Sequence, residues 1–256
     1  MRTLLHLSDT HILPTDADRL HGADTLQNLR AALAYFDGYG VSIDAVVLSG
    51  DLANEGDVVG YQRLRSVLDP WLAGRGVPLV AAMGNHDRRA GFRQVMLGSP
   101  SESPVDSTHW VGGLRIVVLD CTVPGAVHGE TRPDQLEWLR SELATPAEEG
   151  TVVVLHHPPT IEPGAMADIV RLRGADALES IVQGRDVVAV LAGHVHHTVA
   201  GAFGGTFSFT APAISYMVDP LALAAGSMRG LEGRGFALVR IANKRAVAST
   251  VYLPTR

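Results

Sequence analysis

The chain has 256 residues, 46% of them hydrophobic, which is enough to bury a large core in one α/β domain. Its formal net charge is -6 and Lys244 is its only lysine, which argues against a broad surface for DNA or RNA. Cys121 is the only cysteine, so an internal disulfide is excluded and a reducing, cytoplasmic compartment is expected. No apolar run approaches the ~20 residues of a membrane-spanning helix, and charge follows Met1 too soon for a signal peptide.

Five apolar, β-branched runs predict strands that are buried on both faces, each of them central in a sheet covered by helices. They are residues 3–7, 45–48, 79–83, 151–155 and 187–192.

Helical patterns lie between the predicted strands. The first is capped by Asp24 or Thr25, the second covers residues 57–72, the third begins at a capping box on Thr131, and the fourth covers residues 175–182. After His197 the pattern changes to short strands with glycine turns, at residues 199–203, 206–210, 236–241 and 247–253. We therefore predict that the segment from about 199 to 256 forms hairpins completing a second sheet of a single domain, 1–256.

Every predicted central strand ends at side chains that can bind a metal ion. The motifs are Asp9-Thr10-His11, Gly50-Asp51, Gly84-Asn85-His86-Asp87, His156-His157 and Gly193-His194-Val195-His196. Carboxylates, imidazoles and an amide suit hard-to-borderline divalent ions. Ligands collect at the carboxyl ends of strands in open α/β sheets, so one edge of the sheet should gather all five motifs.

Two local features favour close approach to an ion. Glycine precedes a candidate ligand three times, where the lack of a Cβ lets the backbone approach closely. Alternation along an extended segment would place Asp9 and His11 on one side, and likewise His194 and His196. Any one motif alone is more often a turn or a helix cap, but five at strand ends favour a metal site.

The ordered motif set from residue 9 to residue 196 resembles the calcineurin-like metallophosphoesterases. Within that family the chain looks most like the class III cyclic nucleotide phosphodiesterases of the mycobacterial type, on residues 8–11 and 224–230. The resemblance implies a four-layer α/β/β/α sandwich, in which two mixed sheets are flanked by helices. It also suggests a homodimer.

The resemblance implies two metal ions, manganese or iron or both, with zinc as a third option. One ion would be held by Asp9, His11, Asp51 and His196, and the other by Asp51, Asn85, His156 and His194. Asp51 would bridge the two ions, because a carboxylate has two oxygens. With a bridging hydroxide such a centre carries about one net positive charge, which matches a singly charged phosphodiester.

The expected activity is therefore hydrolysis of 3′,5′-cyclic AMP or GMP to the 5′-nucleotide by the metal-bridging hydroxide. His86 would protonate or hydrogen-bond the leaving 3′ oxygen as general acid, and the alternative is that it only donates a hydrogen bond to a neighbouring metal ligand. Other hydrolases on the same centre remain open, namely a phosphomonoesterase, a nuclease or a glycerophosphodiesterase. A noncatalytic scaffold that keeps the fold is the remaining alternative.

Some residues beside the motifs receive structural interpretations. Asp87 is expected to cap the following helix, and Arg88 and Arg89 are expected to lie on its solvated face. Pro158 holds His157 in an extended conformation, so His156 and His157 should not both face the ions. His157 is left between orienting a neighbouring ligand and a packing or surface role. Tyr216 and Trp110 could stack on a base, although their spacing does not indicate it.

Overall fold

The computed structural model describes residues 1–160 and 167–253. The strands are β1 (Arg2–Leu7), β2 (Ala45–Ser49), β3 (Leu79–Ala82), β4 (Ser107–Val111), β5 (Leu114–Val118), β6 (Gly129–Glu130), β7 (Thr151–Val154), β8 (Leu172–Arg173), β9 (Val187–Ala192), β10 (Val199–Phe203), β11 (Thr206–Thr210), β12 (Met217–Val218), β13 (Gly230–Leu231), β14 (Gly235–Ala242) and β15 (Arg245–Tyr252). The helices are α1 (Thr25–Asp37), α2 (Val58–Ala73), α3 (Arg89–Met96), α4 (Pro133–Glu142), α5 (Ala167–Val170), α6 (Ala175–Val182) and α7 (Pro220–Ala224).

Two mixed sheets form the centre of the fold. The first has five strands in the order β15-β14-β1-β2-β3, and the second has six in the order β10-β11-β9-β7-β5-β4. Within the first sheet β1, β2 and β3 run parallel, and within the second β5, β7, β9 and β11 run parallel. Parallel strands need crossover connections, and helices supply these except between β9 and β11, which are joined through strand β10.

The two sheets face each other across a shared apolar layer. Leu4 and Val47 of the first sheet pack in this layer with Ile116, Val152 and Leu191 of the second. Helices α1, α2 and α3 cover the outer face of the first sheet, and α4 and α6 cover the outer face of the second. The predicted four-layer α/β/β/α sandwich is confirmed.

Local sequence signals set several helix ends as predicted. Asp24 caps α1 by accepting from Gln27 N at 3.0 Å, and Asp57 caps α2 by accepting from Gly60 N at 2.7 Å. The predicted start of α4 at Thr131 is wrong. The helix begins at Pro133, and the Thr131 hydroxyl instead donates to the Gly174 carbonyl at 3.3 Å.

The position of β3 differs from the prediction that every ligand-bearing strand is central. β3 is an edge strand, and Leu79 and Ala81 on its helix-covered face are only partly buried, whereas Val80 and Ala82 on the face toward the second sheet are buried. Its apolar composition reflects packing against the helices above and the second sheet below.

Among the described helices, none is both long and apolar enough to cross a membrane.

The C-terminal segment is divided between the two sheets, so the prediction that it completes a second sheet is only partly correct. Strands β10 and β11 join the second sheet, where β11 pairs in parallel with β9. Strands β14 and β15 extend the first sheet, where β14 pairs with β1. Residues 254–256 lie outside the described residues. The single-domain boundary 1–256 stays a prediction.

Candidate metal centre

The five predicted motifs come together, but from two sheets rather than from one. Asp9, Asp51 and Asn85 follow β1, β2 and β3 of the first sheet, whereas His156 and His194 follow β7 and β9 of the second. Because the sheets face each other, the carboxyl ends of both sets of strands meet at one end of the sandwich. The site therefore lies where the carboxyl ends of strands from the two sheets meet.

The first group of side chains consists of Asp9, His11, Asp51 and His196, all buried. Their ligand atoms all lie within 4.8 Å of one another. The Nε2 atoms of His11 and His196 are 3.2 Å apart, and each is 3.4 Å from a carboxylate oxygen, of Asp51 and Asp9 respectively. This arrangement of oxygen and nitrogen atoms can surround one cation.

A second group consists of Asp51, His156 and His194. His156 Nε2 lies 3.3 Å from Asp51 Oδ2 and 3.2 Å from Asn85 Oδ1. Asp51 belongs to both groups, so its carboxylate lies between two places where a cation could be held. Two groups that share one carboxylate are the arrangement expected of a dinuclear centre.

Backbone carbonyls orient two of the imidazoles. His156 Nδ1 donates to the Ser49 carbonyl at 2.7 Å, and His196 Nδ1 donates to the Tyr216 carbonyl at 2.8 Å. A carbonyl oxygen only accepts, so the Nδ1 atom carries a proton and the Nε2 atom is left for a metal. Neither ring nitrogen of His194 has a hydrogen-bond partner among residues 1–160 and 167–253, although both are buried.

The charges of the group also fit a cation. Burial lowers the pKa of His11 to about 4 and that of His194 to about 3, so both imidazoles are neutral near pH 7, as metal ligands must be. Burial also lowers the pKa of His156, but the Asp51 carboxylate outweighs burial and raises it to about 9. The buried carboxylates thus attract a positive charge onto His156, and a metal ion can replace that proton.

The backbone of the ligands contradicts the predicted extended alternation. Asp9, His11, Asp51, His194 and His196 all have positive φ, between 42° and 76°. Non-glycine residues in this left-handed region carry strain of about 1 kcal/mol or more each, and such strain gathers at functional sites. The chain turns sharply after β1, β2 and β9, and this turn rather than alternation directs these side chains inward.

The predicted close approach at glycine is present at all three loops. A Cβ at Gly50 would lie 2.8 Å from His156 Cβ. A Cβ at Gly84 would lie 2.8 Å from the Asp51 carboxylate carbon, and one at Gly193 would lie 2.7 Å from Asp9 Oδ2. All three distances are shorter than any ordinary carbon contact, so a larger residue would displace a candidate ligand.

His86 lies at the open side of the centre and is exposed. Its backbone N–H donates to Asp51 Oδ1 at 2.8 Å, and its ring Nδ1 lies 2.9 Å from the carbonyl of Asn54. Its ring centroid is 4.6 Å from that of His11. With Nδ1 donating to the carbonyl, Nε2 is available to a bound substrate.

His157 lies behind the ligands rather than among them. It is fully buried, its Nε2 donates to the Val127 carbonyl at 3.1 Å, and its ring packs 4.6 Å from the ring of His194. The packing interpretation fits this position.

The interpretation of Asp87 as a helix cap is wrong. Helix α3 is preceded by Arg88, which makes no side-chain cap. The Asp87 carboxylate instead accepts from the backbone of Leu52 at 3.1 Å, from Gly84 at 2.8 Å and from the Tyr61 hydroxyl at 2.9 Å. It therefore joins the loops that carry Asp51 and Asn85, which a local reading of the sequence could not reveal.

The solvated position predicted for Arg89 is also wrong. Its Nε donates to Asp120 Oδ2 at 2.9 Å, and its terminal nitrogen donates to the Thr122 carbonyl at 3.1 Å. Asp120 is fully buried after β5. Arg88, by contrast, is exposed as predicted.

Sequence reasoning missed the partners that orient the imidazoles, namely Ser49, Asn54 and Tyr216. Ser49 and Tyr216 act through backbone carbonyls, so no side-chain signal could have indicated them. Asn54 contacts His11 Nδ1 at 3.1 Å, and its position three residues after Asp51 could have suggested a role in the same loop.

Comparison with known proteins agrees with this fold. The model of the calcineurin-like phosphoesterase family matches residues 2–198, and the chain belongs to this family. The family predicted from the motifs is confirmed.

Two curated relatives and one solved structure illustrate the similarity. The chain is 44% identical over 253 residues to a cAMP/cGMP dual specificity phosphodiesterase of Mycobacterium tuberculosis, covering 98% of this chain and 79% of the relative. It is 32% identical over 195 residues to a 3′,5′-cyclic adenosine monophosphate phosphodiesterase of Pseudomonas aeruginosa, covering 75% of this chain and 69% of the relative. A dimetal phosphatase of Danio rerio superposes with a TM-score of 0.67 at 16% identity, covering 97% and 95% of the two chains, and this likeness concerns the fold.

Proposed function

We propose that the protein is a phosphodiesterase that hydrolyses 3′,5′-cyclic AMP and cyclic GMP to the 5′-nucleotides at a dinuclear metal centre. The observation that carries this proposal is the shared carboxylate of Asp51, which belongs to both groups of candidate ligands. The cyclic nucleotide activity of the relatives, one of them 44% identical over nearly the whole chain, supports the choice of substrate.

The proposed ligands of one ion are Asp9, His11, Asp51 and His196, and those of the other are Asp51, Asn85, His156 and His194. Bound there, two cations would supply an activated water and positive charge for the phosphate oxygens. Manganese or iron or both, with zinc as a third option, is proposed from the family resemblance, and oxygen and nitrogen ligands without a thiolate fit each of these ions. Elemental analysis of purified protein would identify the ions.

His86 is proposed to protonate the leaving 3′ oxygen. Its ring faces the open side of the centre, and the Asn54 carbonyl fixes the proton on Nδ1, so Nε2 can carry the proton that is transferred. Asp51 Oδ1 accepts from the backbone of His86, which keeps this loop next to the ligands. The imidazole therefore lies where a substrate at the centre would meet it.

The test of the function is direct assay of the metal-loaded protein. We expect release of 5′-AMP and 5′-GMP from the cyclic nucleotides with a kcat/KM above that for glycerophosphodiesters and for a phosphomonoester. A strong preference for the monoester would refute the proposal, and so would the absence of turnover on every ester.

Two further properties remain proposals. A cytoplasmic location is supported by the lone, buried Cys121, which can form no internal disulfide. Cell fractionation would test it. A homodimer is suggested by the family resemblance, and sedimentation analysis of the purified protein would distinguish a dimer from a monomer.

A further inference from the structure

A cavity of about 570 Å³ opens directly beside the candidate centre. Asn85 and His86 form part of its wall, and residues 122–125, which follow β5, form another part. If the phosphate is held at the ligands and His86 serves the leaving oxygen, the rest of the substrate extends into this cavity. This inference therefore rests on the proposed function.

Arg88 lines the same cavity, and its backbone is held in place by a hydrogen bond. Its backbone N–H donates to the Tyr61 hydroxyl at 3.1 Å. The aliphatic part of its side chain packs against the backbone of Gly56, where an added Cβ would lie 2.6 Å from Arg88 Cγ. A side chain at position 56 would thus displace the arginine, and glycine leaves it room to reach the cavity.

The guanidinium of Arg88 has no ion-pair or hydrogen-bond partner in the described part of the chain. Its neighbour Arg89 lines the same cavity but is engaged by Asp120 at 2.9 Å. Arg88 is therefore the arginine of this wall whose donors remain available to a ligand. An arginine presents five N–H donors in a planar fork, which suits a planar partner with paired acceptors.

Two acids decide what kind of ligand the cavity favours. Glu55 and Glu102 also line the cavity and are exposed. Their two negative charges exceed the one positive charge of Arg88 that has no ion-pair partner among the described residues. A second phosphate group would be repelled by such a balance. A neutral base that offers both acceptors and donors fits better, because Arg88 can donate and a carboxylate can accept.

We propose that Arg88 contacts the nucleobase of the substrate and favours guanine over adenine. Guanine offers the paired acceptors O6 and N7, to which arginine donates in a bidentate manner, and it also offers an amino donor to a carboxylate. Adenine replaces O6 with an amino group, which cannot accept from the guanidinium. Arg88 is thus a specificity-determining residue of the nucleobase site.

The test compares Arg88→Ala and Arg88→Lys with wild type in the metal-loaded protein. The substrates are cyclic GMP, cyclic AMP and the 3,5-cyclic phosphate of 1-deoxyribose, which lacks a base. For Arg88→Ala we expect the ratio of kcat/KM for cyclic GMP to that for the abasic ester to fall roughly 5- to 150-fold, the worth of a bidentate contact. The ratio for cyclic AMP should fall less, and Arg88→Lys should recover only part of the loss.

The matched control is Arg185→Ala. Arg185 is exposed in the turn before β9, at the opposite end of that strand from the centre, and we expect wild-type ratios. Calorimetric titration with 5′-GMP, 5′-AMP and ribose 5-phosphate gives a readout without turnover, in which Arg88→Ala should weaken 5′-GMP most.

The failures of the two proposals can be told apart. Wild-type turnover of both cyclic nucleotides with unchanged ratios in Arg88→Ala would overturn the role of Arg88 and leave the proposed function intact. An equal fall for all three substrates would assign Arg88 to the fold or the phosphate and would also overturn it. Absence of wild-type turnover together with 5′-GMP binding that depends on Arg88 would remove the proposed function alone.

Discussion

The hydroxyl of Tyr61 in α2 donates a 2.9 Å hydrogen bond to the buried carboxylate of Asp87 in the loop after β3. The same carboxylate accepts from Leu52 and Gly84, which flank the candidate ligands of two loops. Tyr61 thereby connects the helix covering the first sheet to the two loops that carry the candidate ligands. This contact holds the two loops in register although neither Tyr61 nor Asp87 is a candidate ligand.

Removing this contact should weaken the fold and the centre together. We expect Tyr61→Phe to lower the free energy of unfolding by about 1 kcal/mol, and Asp87→Ala by about 3 kcal/mol or more, because buried N–H groups lose their acceptor. Denaturant unfolding measures both. Tyr39→Phe is the control, since its hydroxyl bonds to Tyr35 at the surface. Equal stability of Asp87→Ala and Tyr39→Phe would contradict the role of Asp87.

The ion pair between Arg89 and Asp120 should matter more at neutral than at acidic pH. Burial raises the pKa of Asp120, but hydrogen bonds from Arg89 and Thr122, together with the charge of Arg89, outweigh burial and hold this pKa below its usual value. A carboxyl whose folded pKa is lowered stabilises the fold above its unfolded pKa of about 3.9, and this stability is lost as the pH falls through the folded pKa.

Arg89→Ala leaves the Asp120 carboxylate buried and unpaired. We expect a loss of about 3–5 kcal/mol in the free energy of unfolding at pH 7. The loss should be smaller at pH 4, where Asp120 in the variant can take up a proton. Unfolding at both pH values measures the difference, and Arg88→Ala is the adjacent control, with little change at either. A loss that is the same at both pH values would argue against an ionised Asp120.

His86 should affect turnover and not metal binding. We expect His86→Ala to lower kcat on cyclic AMP about 10²- to 10⁴-fold, the usual size of a general-acid effect, with two metal ions retained. Steady-state kinetics and elemental analysis on the same sample provide the measurement. His109→Ala on β4 is the control and should have wild-type kcat. Unchanged turnover in His86→Ala would remove this residue from its proposed role.

Asp51 should be required for both metal ions. We expect Asp51→Ala to lose both ions in elemental analysis, whereas Asn85→Ala loses affinity at one of them, because Asp51 alone belongs to both groups. Metal addition should raise Tm in wild type and not in Asp51→Ala, since a ligand that binds only the folded state stabilises it. Two ions retained by Asp51→Ala would disprove the bridging assignment.

Gly84 should tolerate no side chain. An alanine Cβ there would meet the Asp51 carboxylate, so we expect Gly84→Ala to lower metal content and activity together. Gly74→Ala is the control, because its Cβ would meet the Pro70 carbonyl at an ordinary 3.4 Å. Wild-type metal content in Gly84→Ala would show that the Asp51 loop can move aside.

Much of the architecture was predictable because its causes are local. The apolar runs of β1, β2, β7 and β9 identify buried strands, and Asp24 and Asp57 identify helix starts through one hydrogen bond each. The ligand motifs were recognisable for the same reason, because each one sits in a short turn directly after a strand. The family follows from the order of these motifs along the chain.

The sequence by itself determined which side chains could bind metal and which strands carry them. Only the tertiary structure decided that β14 pairs with β1 and that β3 is an edge, because pairing joins residues far apart in the chain. It also decided that Asp87 accepts from two loops and that Arg89 pairs with buried Asp120. A polar side chain can bond to many different partners. Which partner it bonds to depends on how distant segments pack around it, because a buried polar group must find a hydrogen-bond partner among them.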